Sequence, residues 1–247
     1  MKILGDSQIT NATVTATNIL TSTLTKKLQT FQLTDNMRTI ANSTVIDITF
    51  PGTIPDIDTI ALCGTNLTPT AVINVSYSNT NINSPDDTIL LDPFSTLNQI
   101  MFLVASLNKK YWRISITDTA VSQIFIGYIY IGVSLNIPYV EFGHNPSLDI
   151  FSNSNVTPTG QGYGSKIYNA LQVEFTMLLN ITQLEAYIEI VQEKQNIDPV
   201  IIVEYPLSYD NALYRPKYGV LSSTSVPYQM SHNNLRYAVS ARLEERF

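Results

Sequence analysis

The sequence predicts a mainly β chain: a sandwich or barrel of short strands, followed by a smaller α+β unit with one clear helix. Three observations point there. Short segments rich in Val, Ile, Thr and Tyr recur between turns of Gly, Pro, Asn and Asp. Charged residues make up only 14% of the 247, and the polar share comes instead from Asn, Thr and Ser, which suit turns and solvated strand faces rather than long helices. Helical spacing is convincing in a single segment, "ITQLEAYIEIVQEKQN".

Taken in order, residues 1–30 are polar and lack a clear core pattern, so they read as an N-terminal arm or an edge strand. The loose alternation of "TVTATNILTSTL" (Thr13–Leu24) is the strand candidate within them. "STVIDITF" alternates cleanly, with Ile46, Ile48 and Phe50 on one face, and Pro51-Gly52 closes it as a turn. "IDTIALCGTNL" follows, then "TAVINVSYS", in which Val72, Asn74 and Ser76 oppose Ala71, Ile73, Val75 and Tyr77. Beyond a polar loop come "TILLDPF", "IMFLVAS", "YWRISITD" and "IFIGYIYIGVSL". Trp112, Ile114 and Ile116 share one face of their strand, which makes Trp112 a core anchor, and Arg113 is expected at the rim. Gly127 and Gly132 interrupt the strand expected over Ile124–Val133, where glycine marks a bulge or a close backbone contact. The apolar run from Ile124 to Val140 contains Ser134, Asn136 and Pro138 and consists of strand formers, so it is a strand and not a membrane span.

The strand set closes near residue 140. Residues 141–168, rich in Gly, Pro, Asn and Ser, read as a linker or long loop, and 169–247 as the α+β unit. There "NALQVEFTMLLN" is a strand. Thr182 with Glu185 is expected to form a capping box, and Leu184, Ile188 and Val191 a buried stripe. "DPVIIVEYP", "KYGVLSST" and "LRYAVSARLEERF" supply the remaining elements. This organisation gives the segments 1–30, 31–140, 141–168 and 169–247.

The chemistry-bearing residues are few. The net charge of −6 opposes nucleic-acid binding, which needs a basic stripe. Lys26-Lys27 and Lys109-Lys110 are too sparse to supply one. Cys63 follows an apolar run and is expected to be buried and inert. His144 and His232 have no partner at metal-ligand spacing. "GQGYGSK" lacks phosphate-loop spacing. Asp86, Asp87 and Asp92 have turn composition, and Glu185 and Glu189 are solvated helix charges, so no glycosidase carboxylate pair emerges. No catalytic, cofactor or metal residue is therefore assigned, and the chain is read as a non-enzyme. The N-terminal residues are too short in apolar content for a signal peptide, so the chain is expected to be made in the cytoplasm and left unprocessed.

Tyrosine stands out, with 14 in the chain. Tyr205, Tyr209, Tyr214, Tyr218 and Tyr228 cluster near the C-terminus and are read as interface residues, since tyrosine buries area while keeping a polar tip. A second binding mode would place exposed rings beside amides at one loop end, for which Tyr77, Asn79 and Asn81 are candidates.

Leu33, Asp35, Gly64, Asn66 and Leu67, followed by Arg113, Ile114, Ile116 and Asp118 with Gly127 and Gly132, resemble tail-associated virion proteins of bacteriophages. These carry a discoidin-like, galactose-binding-type jelly roll; Thr65 stands here where that pattern has His. The resemblance implies a jelly-roll β-sandwich over 31–140 and a structural role in a tail, adaptor or baseplate. Partners would be other virion proteins and copies of the chain itself. Its alternative is a carbohydrate-binding module recognising a host surface glycan.

Overall fold

A computed structural model describes residues 1–30, 36–91, 98–138, 140–142, 147–156, 162–194, 198–203, 217–223, 228–231 and 236–245. The chain is mainly β, a jelly-roll β-sandwich with a smaller α+β part; the alternation predicts the strands of a sandwich, and the resemblance its jelly-roll form. It divides into two compact units.

The first unit comprises Lys2–Leu135 and Ile201–Lys217. Its strands are β1 (Lys2–Leu4), β2 (Thr13–Ala16), β3 (Met37–Arg38), β4 (Ser43–Thr49), β5 (Asp56–Cys63), β6 (Val72–Ser78), β7 (Asp87–Leu91), β8 (Asn98–Asn108), β9 (Tyr111–Thr117), β10 (Phe125–Ile126) and β11 (Tyr128–Gly132), with β12 (Ser134–Asn136) at its boundary. One sheet has the order β2-β4-β9-β6-β7, and another β11-β5-β8. The inward face of the larger sheet is what period-two spacing predicts: Ile46, Ile48, Ile73, Val75, Trp112, Ile114 and Ile116 are all buried. The Trp112 indole still finds a partner, donating to the Lys109 carbonyl at 2.9 Å.

In the smaller sheet β11 has no exposed residue, and β5 is buried from Thr59 to Cys63. Short 3₁₀ segments at Gln8–Asn11 and Ser22–Gln29 pack against β11. Ile9 and Leu28 are fully buried, the Ser7 hydroxyl accepts from the Ile131 amide at 3.0 Å, and Gln29 Nε2 donates to the carbonyls of Ile9 and Ala12. Residues 1–30 therefore contribute an edge strand, β2, and a cover for β11, and not a free arm. The cover escapes periodicity analysis because 3₁₀ turns repeat with neither the strand nor the α-helix period.

The strand expected over Ile124–Val133 breaks at Gly127. Strand β10 pairs with β3, whereas β11 pairs with β5. A Cβ at Gly132 would stand 3.0 Å from both the Asp6 carbonyl oxygen and the Tyr130 hydroxyl, so a larger residue would have to push these neighbours aside.

The second unit comprises Asn136–Val200 and Tyr218–Arg246. It holds β13 (Val140–Phe142), β14 (Ser147–Val156), β15 (Gly162–Leu179), helix α1 (Ile181–Lys194), the start of β16 (Pro199–Val203), then β17 (Lys217–Ser223), β18 (Tyr228–Ser231) and β19 (Arg236–Glu245). Strands β13 and β19 flank β15, and β17 and β18 pair with β19. The segment 141–168, expected as a linker, is largely strand: β14 pairs along β15 from Ser147↔Gln172 to Val156↔Gly162. Its Gly, Asn and Ser content suits a wet hairpin as well as a loop, and pairing decided between them. Residues 201–203 of β16 belong with the first unit, where they pair with β1.

Helix α1 starts two residues earlier than the expected cap at Thr182. Asn180 and Gln183 form the reciprocal box: Gln183 N donates to Asn180 Oδ1 at 2.8 Å, and Asn180 N to Gln183 Oε1 at 3.1 Å. The buried stripe is Leu184 and Tyr187, with Val191 half-buried, and Ile188 is exposed.

Candidate functional site

Strand directions give the sandwich two loop ends. At one, the neighbours of Ser43, Thr117 and Val72 meet; at the other, those of Thr49, Tyr111 and Ser78. The first end is occupied by internal bonding. Asp118, fully buried, accepts from Thr68 N at 2.7 Å, Thr68 Oγ1 at 3.0 Å and Ala120 N at 3.0 Å. Asn66 donates to the Gln123 carbonyl and accepts from Phe125 N, both at 2.8 Å. Gly64 sits at φ 64°, a backbone region costly for residues with a Cβ. The residues that carry the sequence resemblance here are thus loop pins, and they leave little to offer a ligand.

The flat outer face of the larger sheet is polar. Across its centre Asp47, Arg113 and Ser76 stand in register on β4, β9 and β6, with Thr88 next on β7. Arg113 grips Asp47 through two hydrogen bonds, and Ser76 and Thr88 share one at 2.8 Å. Arg113 therefore lies at mid-sheet and not at the rim, its guanidinium spent on an internal ion pair. The Asp47 hydrogen bond also raises the Arg113 pKa above its ordinary value.

The other end differs in that it keeps unspent groups. The β8–β9 turn is held by Trp112 Nε1 on the Lys109 carbonyl and by Phe50 N on the Lys110 carbonyl at 3.0 Å. Lys110 N donates to Asn79 Oδ1 at 3.1 Å, which ties that turn to the β6–β7 loop. Lys109 Nζ lies 2.8 Å from Asp86 Oδ2, and Ser78 Oγ donates to Asp86 Oδ1 at 3.1 Å. The Lys109 hydrogen bond, with that from Ser78, holds the Asp86 carboxyl below the usual carboxylate range. Lys110 Nζ lies 5.3 Å from the centre of the Tyr111 ring, which is half-exposed on the outer face. Asn79, Asn81 and Asn83 of the β6–β7 loop and Asp87 at the start of β7 are exposed at this end.

Of the three residues the sequence singled out for this end, Asn79 and Asn81 are placed as a binding loop requires. Tyr77 is not, because it is only 9% exposed and its ring packs 5.3 Å from Trp112, tilted by 49°. Its hydroxyl donates to Asp87 at 3.3 Å, and burial followed by the Asp87 charge raises its pKa. Tyr111 takes its place as the accessible ring. The signal was present in the outward register of Tyr111 with Arg113 and Ser115, next to a turn.

The remaining candidates resolve as follows. Cys63 is fully buried, and burial pushes its thiol pKa upward. Tyr218, expected at an interface, is 4% exposed within β17, so the chain's own fold consumes its ring. Tyr228 lies in β18 opposite Ala238. Tyr205, Tyr209, Tyr214, His144, His232, Asp92, Leu33 and Asp35 lie outside the described residues. Glu185 and Glu189 are exposed on α1. Among the described residues no group of three His, Cys, Asp or Glu side chains is arranged to hold a metal ion, and no helix is long and apolar enough to cross a membrane.

No family model and no curated protein matches the chain. Solved structures of similar fold include a chitosan-binding module from a Paenibacillus sp. IK-5 chitosanase/glucanase (12% identity, 52% of this chain and 99% of that one, TM-score 0.41). A Clostridium perfringens module in complex with GalNAc-β-1,3-galactose aligns at 9% identity over 52% of this chain and all of that one, TM-score 0.42. A Streptococcus pneumoniae fucose-binding module aligns at 10% identity over 52% of this chain and 98% of that one, TM-score 0.40. These alignments reach about half of the chain.

Proposed function

We propose that the chain is a carbohydrate-binding module that engages a glycan, without turning it over, through the loop end around Tyr111. The observation that carries this reading is the cross-braced cluster itself. A half-exposed aromatic ring shares this loop end with exposed amide and carboxylate side chains, and the loops are held together by the Lys110–Asn79 and Lys109–Asp86 bonds. A sugar presents apolar C–H faces and a rim of hydroxyls. A ring supplies surface for the former, and amides and carboxylates accept and donate for the latter. Because the loops are already braced, little ordering entropy opposes binding.

The test is titration of immobilised polysaccharides with the full chain and with Tyr111→Ala. Binding by the native chain that weakens at least about tenfold in the variant supports the reading. Binding that the variant retains in full would place the glycan elsewhere, and absence of binding would remove the reading.

A second reading, a structural part of a bacteriophage tail, adaptor or baseplate, follows from the sequence resemblance. On its side is strand β8, which ends the β11-β5-β8 sheet and carries Val104 fully exposed, followed by exposed Ala105 and Ser106. An apolar side chain on a sheet edge suits contact with another protein. Antibody-gold labelling of virus particles tests it, and particles without label would remove it.

A further inference from the structure

Resting on the glycan-binding reading, we infer that this loop end selects an anionic sugar through Lys110. The two adjacent lysines of the β8–β9 turn are not equivalent. Lys109 is neutralised by Asp86 at 2.8 Å and lies over the buried Tyr77 ring. Lys110 has no ion-pair partner among the described residues, and its ammonium stands 5.3 Å from the centre of the half-exposed Tyr111 ring.

Beside it, Asn79 uses its carbonyl oxygen on the Lys110 amide. That bond fixes the side-chain amide against the Lys110 backbone and leaves its NH₂ group, a double donor, unused by it. An ammonium beside an aromatic ring, with an amide donor on the loop braced to the same turn, makes a subsite for a negatively charged substituent on a pyranose. The charged group meets Lys110 and the Asn79 amide while the sugar's C–H face lies against Tyr111. The chain as a whole carries a net charge of −6, so the attraction of an anion must come from a local arrangement and not from the overall charge. Carboxylate and sulfate share this chemistry.

The experiment compares the full native chain with Lys110→Gln on matched polymer pairs: polygalacturonate against its methyl ester, and dextran sulfate against dextran. Circular dichroism on both proteins checks that the variant folds. The expected result is stronger native binding to a charged polymer than to its neutral partner, with that preference reduced about tenfold in Lys110→Gln. Preference confined to polygalacturonate assigns a carboxylate, and to dextran sulfate a sulfate. Equal native binding to both members of each pair, or a preference unchanged in Lys110→Gln, would overturn the inference while leaving glycan binding intact. Binding to no polysaccharide, neutral ones included, would overturn both.

Discussion

Arg113 faces Asp47 directly across two neighbouring strands and holds both oxygens of its carboxylate, Nε on Oδ1 at 2.6 Å and Nη2 on Oδ2 at 2.8 Å. The side chains are 26% and 32% exposed, so water screens the pair only in part. Its fork geometry is available to arginine and not to lysine. Arg113→Lys is expected to lower stability by about 1 kcal/mol, and Arg113→Met with Asp47→Leu to cost little. Urea unfolding midpoints check both; a Lys variant as stable as the native chain would show that the second hydrogen bond contributes nothing.

Asp118 closes the opposite loop end by accepting three hydrogen bonds from Thr68 and Ala120 while fully buried. Asp118→Ala leaves those donors without an acceptor and is expected to cost about 2–4 kcal/mol. Asp118→Asn keeps one acceptor oxygen and should cost less. Thermal unfolding of the two variants side by side decides the order; equal losses would mean that packing and not hydrogen bonding sets the cost.

The Asp86–Lys109 bond predicts an acid dependence. Because Asp86 titrates below its ordinary value in the folded chain, its contribution is fully present above the unfolded carboxylate pKa, about 3.9. It fades as pH falls through the lower folded pKa. The native chain should therefore melt above Asp86→Asn at pH 6, with the gap closing as the pH falls below that of an ordinary carboxylate. A gap that stayed constant down to pH 2 would show that Asp86 acts otherwise than through its charge.

Gly132→Ala places a methyl 3.0 Å from the Asp6 carbonyl oxygen and the Tyr130 hydroxyl. One of these contacts is backbone and cannot swing away, so a destabilisation of about 1–3 kcal/mol is expected. Gly52→Ala, with nothing near the added methyl, is the control, and denaturant midpoints for both provide the comparison.

Period-two alternation by itself determined the strands of the larger sheet and their inward faces, from Ile46 and Ile48 to Trp112, Ile114 and Ile116. Burying one face of a pleat leaves no other register for such a pattern. Composition likewise settled the burial of Cys63, and the outward place of Tyr111 was written in its register with Arg113. Four things needed the tertiary structure. Residues 8–29 became the cover of β11, since 3₁₀ turns carry no periodic signal. The supposed linker became strands because a Ser- and Asn-rich segment takes the structure of whatever it pairs with. The capping box moved to Asn180 and Gln183, two motifs of equal sequence quality having competed for one helix start. Finally, Lys109 found Asp86 and Lys110 did not. Identical neighbours in sequence were separated into a spent charge and a free one by contacts across loops, which only the folded chain brings together.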